Sequence, residues 1–132
     1  MPYQTNVIAA TKSNEYFRKV LFTGKLSQLV VMSIPPGGEV GEEAHDHVEQ
    51  TLFCQSGNGE AILDGKKTPF VAGDAVVVTP GVLHNFKNTG SEALKIFTIY
   101  APANHIDGRV HKTKADADAD VKDEEFGHKA GG

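Results

Sequence analysis

The stretch Glu60-Ala61-Ile62-Leu63-Asp64-Gly65-Lys66-Lys67-Thr68-Pro69-Phe70-Val71 decides the fold class. Two short apolar runs flank Asp64-Gly65, a pair that tolerates positive φ at both central positions of a two-residue turn, so the stretch reads as a β-hairpin. Outward from it, residues 16–22, 28–34, 51–54, 75–78 and 94–100 are further short runs rich in β-branched and aromatic side chains. Turn signals separate them: Thr23-Gly24-Lys25, Pro35-Pro36-Gly37-Gly38, Ser56-Gly57-Asn58-Gly59, Ala72-Gly73-Asp74, Pro80-Gly81 and Thr89-Gly90. Strands spaced at roughly 8–12 residues with turns between them predict an antiparallel sandwich or barrel. No apolar helical period runs beyond two turns. The expectation is an all-β chain, a single-domain antiparallel β-barrel or jelly roll.

Length and charge narrow the function classes. The chain has 132 residues, 39% apolar and 23% charged, enough for one domain around one core. Its net charge of -4 argues against nucleic acid, which needs clustered Lys and Arg. No apolar run nears the ~20 residues a bilayer demands. The start, MPYQTNVIAA, lacks the basic and hydrophobic regions of a secretory signal. With one cysteine, Cys54, an internal disulfide is excluded, and a cytoplasmic location is expected. Cys54 itself reads as a small buried hydrophobe, since nothing beside it would lower its pKa.

Composition divides the chain into a polar N-terminal arm (1–15), a barrel domain (16–114) and a low-complexity segment (115–132). The last contains Ala115-Asp116-Ala117-Asp118-Ala119-Asp120, and from Lys122 to Gly132 a single large apolar residue, Phe126. So little apolar surface predicts a mostly irregular, mobile tail. A short surface helix over the Ala-Asp run is the alternative.

Six histidines against one cysteine direct attention to a metal. His45 and His47 flank Asp46, and in an extended segment that spacing puts both imidazoles on one face. Gln50 follows where the next strand begins, and His84 lies just past Pro80-Gly81. In a curled sheet these can meet. Two or three His with one oxygen ligand suit Fe, Mn, Co, Ni, Cu or Zn.

The segment from Gly41 through His45-Asp46-His47 to Gln50 and Gly57 resembles the first motif of the cupin superfamily. That from Gly73-Asp74 through Pro80-Gly81 to His84 and Asn88 resembles the second. The segments 17–24 and 100–114 are similar to those of small, stand-alone bacterial cupins. The resemblance implies a jelly roll binding a divalent metal, a small-molecule ligand and a homodimer. It also marks departures. The acidic ligand slot, seven residues before Gly57, holds Gln50, with Glu49 next to it as the alternative because neighbours on a strand face opposite ways. A His-His-Gln-His set is uncharged, so a divalent ion there would keep its full charge and bind more weakly. The short gap from His47 to Gln50 also unsettles the place of His47.

Other residues carry weaker expectations. Glu43 shares parity with His45 and His47, which suits a general base or an orienter of an imidazole; a solvated loop carboxylate is the alternative. Lys95 facing water turns Leu94, Ile96, Thr98 and Tyr100 inward, and Phe53 packs behind the site. His105 reads as a surface histidine or part of a lid, and His111 and His128 as surface residues. The functional expectation is a metal-dependent enzyme on a small polar or sugar-like molecule, of isomerase, lyase or dioxygenase class. The alternatives are a non-catalytic binding module and a metal-free structural protein.

Overall fold

The computed structural model describes residues 2–129. A helix α1 (Val7–Ser13) precedes strands β1 (Arg18–Thr23), β2 (Gln28–Ile34), β3 (Glu49–Ser56), β4 (Asn58–Leu63), β5 (Lys66–Val71), β6 (Ala75–Val78), β7 (His84–Asn88), β8 (Leu94–Ala101) and β9 (Val110–His111); helices α2 (Lys114–Ala119) and α3 (Val121–Lys129) follow. The strands form a six-stranded sheet in the order β6-β3-β8-β2-β1-β9 and a three-stranded sheet in the order β5-β4-β7. Neighbouring strands pair antiparallel throughout. Among the described residues the two sheets stay separate, so the jelly roll is a sandwich rather than a closed barrel.

Alternation in the strands produces the core. Leu94, Ile96, Thr98 and Tyr100 are buried on β8, while Lys95, Phe97, Ile99 and Ala101 are more exposed, as a period of two requires. Register stacks the inward residues into rows: Met32 opposite Ile96 opposite Cys54, and Val30 opposite Thr98 opposite Leu52. Phe70 and Phe86 of the smaller sheet complete the core with an edge-to-face contact, centroids 5.0 Å apart. Phe53 and Phe97 stack at 4.8 Å on the other face of the large sheet. Cys54 is buried, and burial, with Asp74 adding to it, pushes its thiol up to about 11. The β4–β5 turn has Asp64 at φ 49° and Gly65 at φ 83°, the paired positive values that its sequence announced. Pro69 sits on β5, at a sheet edge, where a missing donor is tolerated.

Both ends of the chain depart from expectation. The N-terminal arm contains α1, capped by Asn6 Oδ1 accepting from Ala9 N at 3.0 Å, with Thr11 buried beneath it. The C-terminal segment, expected irregular, is helical through Lys129. Thr113 and Asp116 cap α2 reciprocally. Asp120 then accepts from Arg109 Nε and His111 Nε2, both at 2.9 Å, and Asp123 from His105 Nδ1 and Ile106 N, both at 2.7 Å. Ala117 packs against the core, but polar anchors hold most of this segment: Val121 and Phe126 remain exposed. Residues 130–132 of the expected tail lie outside the described residues.

Candidate metal centre

Residues 39–45 run back along β7 and extend the smaller sheet. Val40 N donates to Phe86 O, Glu43 and His84 exchange two backbone bonds of 2.9 and 2.8 Å, and Gly81 N donates to His45 O at 2.8 Å. Gly81 makes that turn at φ 86°, a conformation side chains disfavour. These bonds place Glu43, His45 and His84 side by side. One ligand atom from each lies within 4.8 Å of the others. Ligands bound at about 2.1 Å to one ion stand roughly 3 Å or more apart, so the set fits a single metal.

The protonation pattern fits as well. His84 is buried, and its Nδ1 lies 3.0 Å from Val82 O; a carbonyl only accepts, so Nδ1 carries the proton and Nε2 keeps its lone pair. Burial, helped by His45, lowers the His84 pKa despite that bond. The His45 ring is 5.4 Å from that of His84. Glu43 Oε2 approaches His45 Nε2 to 3.0 Å, but the contact is not aligned as a hydrogen bond, and this buried nitrogen has no hydrogen-bond partner. An orphaned imidazole nitrogen beside a carboxylate and a second bare imidazole is a donor set of metal-ligand chemistry. Partial burial opposes ionisation of Glu43, but its contact with His45 and the nearby charge of Arg18 hold it down at about 2. Its side chain is 43% exposed, so water screens the effect.

The structure brings together only part of the expected set. His47 is exposed and stands outside the cluster, because residues 46–47 bend and the strand parity that joined it to His45 is lost. Gln50 is buried and Glu49 exposed; Gln50 Nε2 donates to Thr98 Oγ1 at 3.1 Å, a bond that does not engage its Oε1. Glu43, expected beside the cluster or in solvent, is one of its three members. The cluster of Glu43, His45 and His84 carries a carboxylate, whereas the expected set of His45, His47, Gln50 and His84 is uncharged.

A cavity of about 600 Å³ opens beside the cluster. Arg18, Glu43, His45 and His105 line it, together with Asp123 and Glu124 of α3. His105, expected at the surface or in a lid, and His111, expected at the surface, are 7% and 3% exposed. Their partners Asp120 and Asp123 lie in the low-complexity stretch that composition alone disqualified. His111, Asp120 and Asp123 also cluster within 4.8 Å. Guanidinium groups already serve that cluster, Arg109 on Asp120 and Arg18 Nη1 at 3.4 Å from His111 Nδ1, so it reads as a latch for α3. Arg18 was legible by parity: it shares the inward face of β1 with Val20. His128 is exposed. Tyr100 is buried edge-on to the His105 ring, and burial pushes its phenol up to about 12.

Residues 30–100 match the cupin domain family. The chain belongs to the cupins. It is 42% identical over 122 residues to the uncharacterised protein YrkC of Bacillus subtilis; the match covers 88% of this chain and 66% of that protein, just under two thirds of its length. A solved structure of the protein BH2720 from Bacillus halodurans superposes with a TM-score of 0.88 at 36% identity, over 90% of this cupin and 95% of that chain. A predicted oxalate decarboxylase of Thermotoga maritima superposes at 0.55 with 28% identity, over 58% and 66% of the two chains. Among the described residues no helix is long and apolar enough to cross a membrane.

Proposed function

We propose that this cupin binds a divalent transition metal through Glu43, His45 and His84 and acts on a small polar or sugar-like molecule in the adjoining cavity. The observation that carries this reading is the unpartnered His45 Nε2, buried 3.0 Å from a carboxylate and facing a second imidazole. A divalent ion would supply Lewis acidity toward a carbonyl or a pair of hydroxyls, which isomerase, lyase and dioxygenase chemistry share. The chain's own residues do the rest. Val82 O fixes the His84 tautomer, the bonds between Glu43 and His84 hold two ligands in register, and Asp123 and Glu124 of α3 complete the cavity lining.

A second reading, binding without turnover, draws on the engagement of Glu43. A carboxylate held at His45 and kept ionised is poorly placed to shuttle protons. Elemental analysis of protein purified without chelator tests the metal. A stoichiometric transition metal that disappears in His84→Ala supports the first reading, and no uptake under any loading condition ends it. We also propose a homodimer. The outer face of the large sheet, with Phe53, Phe97 and exposed Val77, is the surface to pair. Light scattering that reports a monomer would refute it.

A further inference from the structure

Three residues that line the cavity carry a buried polar atom with no hydrogen-bond partner outside the metal cluster: Arg18 Nε, Asn104 Oδ1 and His105 Nε2. The residues are 6%, 4% and 7% exposed. Unpaired buried polar atoms cost free energy, and three around one cavity are not what packing alone would keep. Their positions are firmly set. Gln28 Oε1 accepts from Asn104 N at 3.2 Å and His105 N at 3.0 Å, while Gln28 Nε2 donates to His105 O at 2.7 Å. Arg18 Nη1 reaches His111, which leaves Nε free. A carboxylate only accepts, so His105 gives its Nδ1 proton to Asp123 and offers a lone pair at Nε2.

The free atoms specify a ligand. Arg18 Nε–H can only donate; Asn104 Oδ1 and the bare His105 nitrogen can only accept. An anion would satisfy the first alone and meet a cavity wall holding six carboxylates against one guanidinium and one ammonium. A cation would satisfy the acceptors but sit against buried Arg18. A hydroxyl donates and accepts without charge. We propose that Arg18, Asn104 and His105 form a recognition subsite for a neutral polyhydroxylated molecule, a free sugar or sugar alcohol rather than a phosphate ester or carboxylic acid. The cavity volume lies in the range of small-molecule sites. The proposal rests on the reading of this cavity as the ligand chamber, but not on a metal being bound.

Saturation-transfer NMR of the wild-type protein with ribitol, D-ribose and D-ribose 5-phosphate tests it, on chelator-treated and zinc-loaded samples. Ribitol or D-ribose should give a saturable signal in both samples, and the phosphate ester a weaker one. Asn104→Leu should abolish that signal while raising the melting temperature of the free protein, because it removes an unpaired acceptor. Arg18→Met should weaken ribitol binding at least tenfold. Preference for D-ribose 5-phosphate, failure of both neutral compounds to bind, or a lowered melting temperature in Asn104→Leu would each overturn the subsite. Zinc that fails to bind while ribitol still does would end the metal reading and leave the subsite standing.

Discussion

His105 Nδ1 lies 2.7 Å from Asp123 Oδ2, and this buried pair ties the segment after β8 to α3. Removing one partner of such a pair strands the other. Asp123→Ala should therefore cost about 3–5 kcal/mol of stability in urea unfolding. Asp118→Ala removes only an exposed ion pair with Lys114 and should change stability by less than about 1 kcal/mol. Equal effects from the two variants would mean that α3 is not held by this bond.

Ligand identity has a separate signature. Glu43→Gln and His84→Ala should each weaken zinc affinity at least ~10–100-fold, the range that even supporting residues of metal sites command. His47→Ala should leave it unchanged, since His47 lies exposed outside the cluster. Competition titration against a chromophoric chelator reads all three.

Acid should destabilise the protein in two stages. Burial, with the nearby charge of Arg18, lowers the His105 pKa below 6.5. Asp123 also lies below its ordinary 3.8, because its bond to His105 outweighs the burial that opposes it. In both cases the folded protein binds its proton less readily than the unfolded chain does, so stability is lost as pH falls. Unfolding free energy should begin to decline below about pH 6.5 and fall faster below about pH 4. At the alkaline end the sign reverses. Cys54 and Tyr100 hold their protons up to about 11 and about 12, against 9.0 and 10.0 when unperturbed, so stability should drop as pH rises past 9. Urea titrations across pH that stay flat on the acid side would contradict the His105 and Asp123 assignments.

The shared core can be probed at Phe86, fully buried against Phe70. Phe86→Ala should cost about 3–5 kcal/mol, whereas Leu26→Ala, 82% exposed, should cost next to nothing. Denaturant midpoints measured on both variants decide it.

The strands were legible because a half-buried strand writes its faces into alternate residues; β8 is the clearest instance. The Asp64-Gly65 turn was legible because few residue pairs accept two positive φ values. The site was half legible. His45 and His84 sit in a spaced pattern, but pairing His47 with His45 assumed an extended backbone that bends at residues 46–47. Glu43 joined the cluster through two backbone bonds to a residue 41 positions away, which no local pattern records. Helix α2 answers to the alternative reading of the Ala-Asp run, whereas α3 was missed because its order comes from Asp120 and Asp123 meeting Arg109, His105 and His111. Composition counts apolar residues and does not see such polar anchors.

The position of β8 has a kinetic consequence. It lies between β3 and β2, pairing Met32 with Ile96 and Cys54 with Ile96, so neither older strand has its central partner until residues 94–101 arrive. Closing those long loops is slow, and strand pairings of this range place folding in the millisecond-to-second regime. Until then β2 and β3 present open backbone edges to other chains. During synthesis or refolding, the danger of self-association is concentrated in the interval before the eighth strand docks, and conditions that shorten it should raise the yield of folded protein.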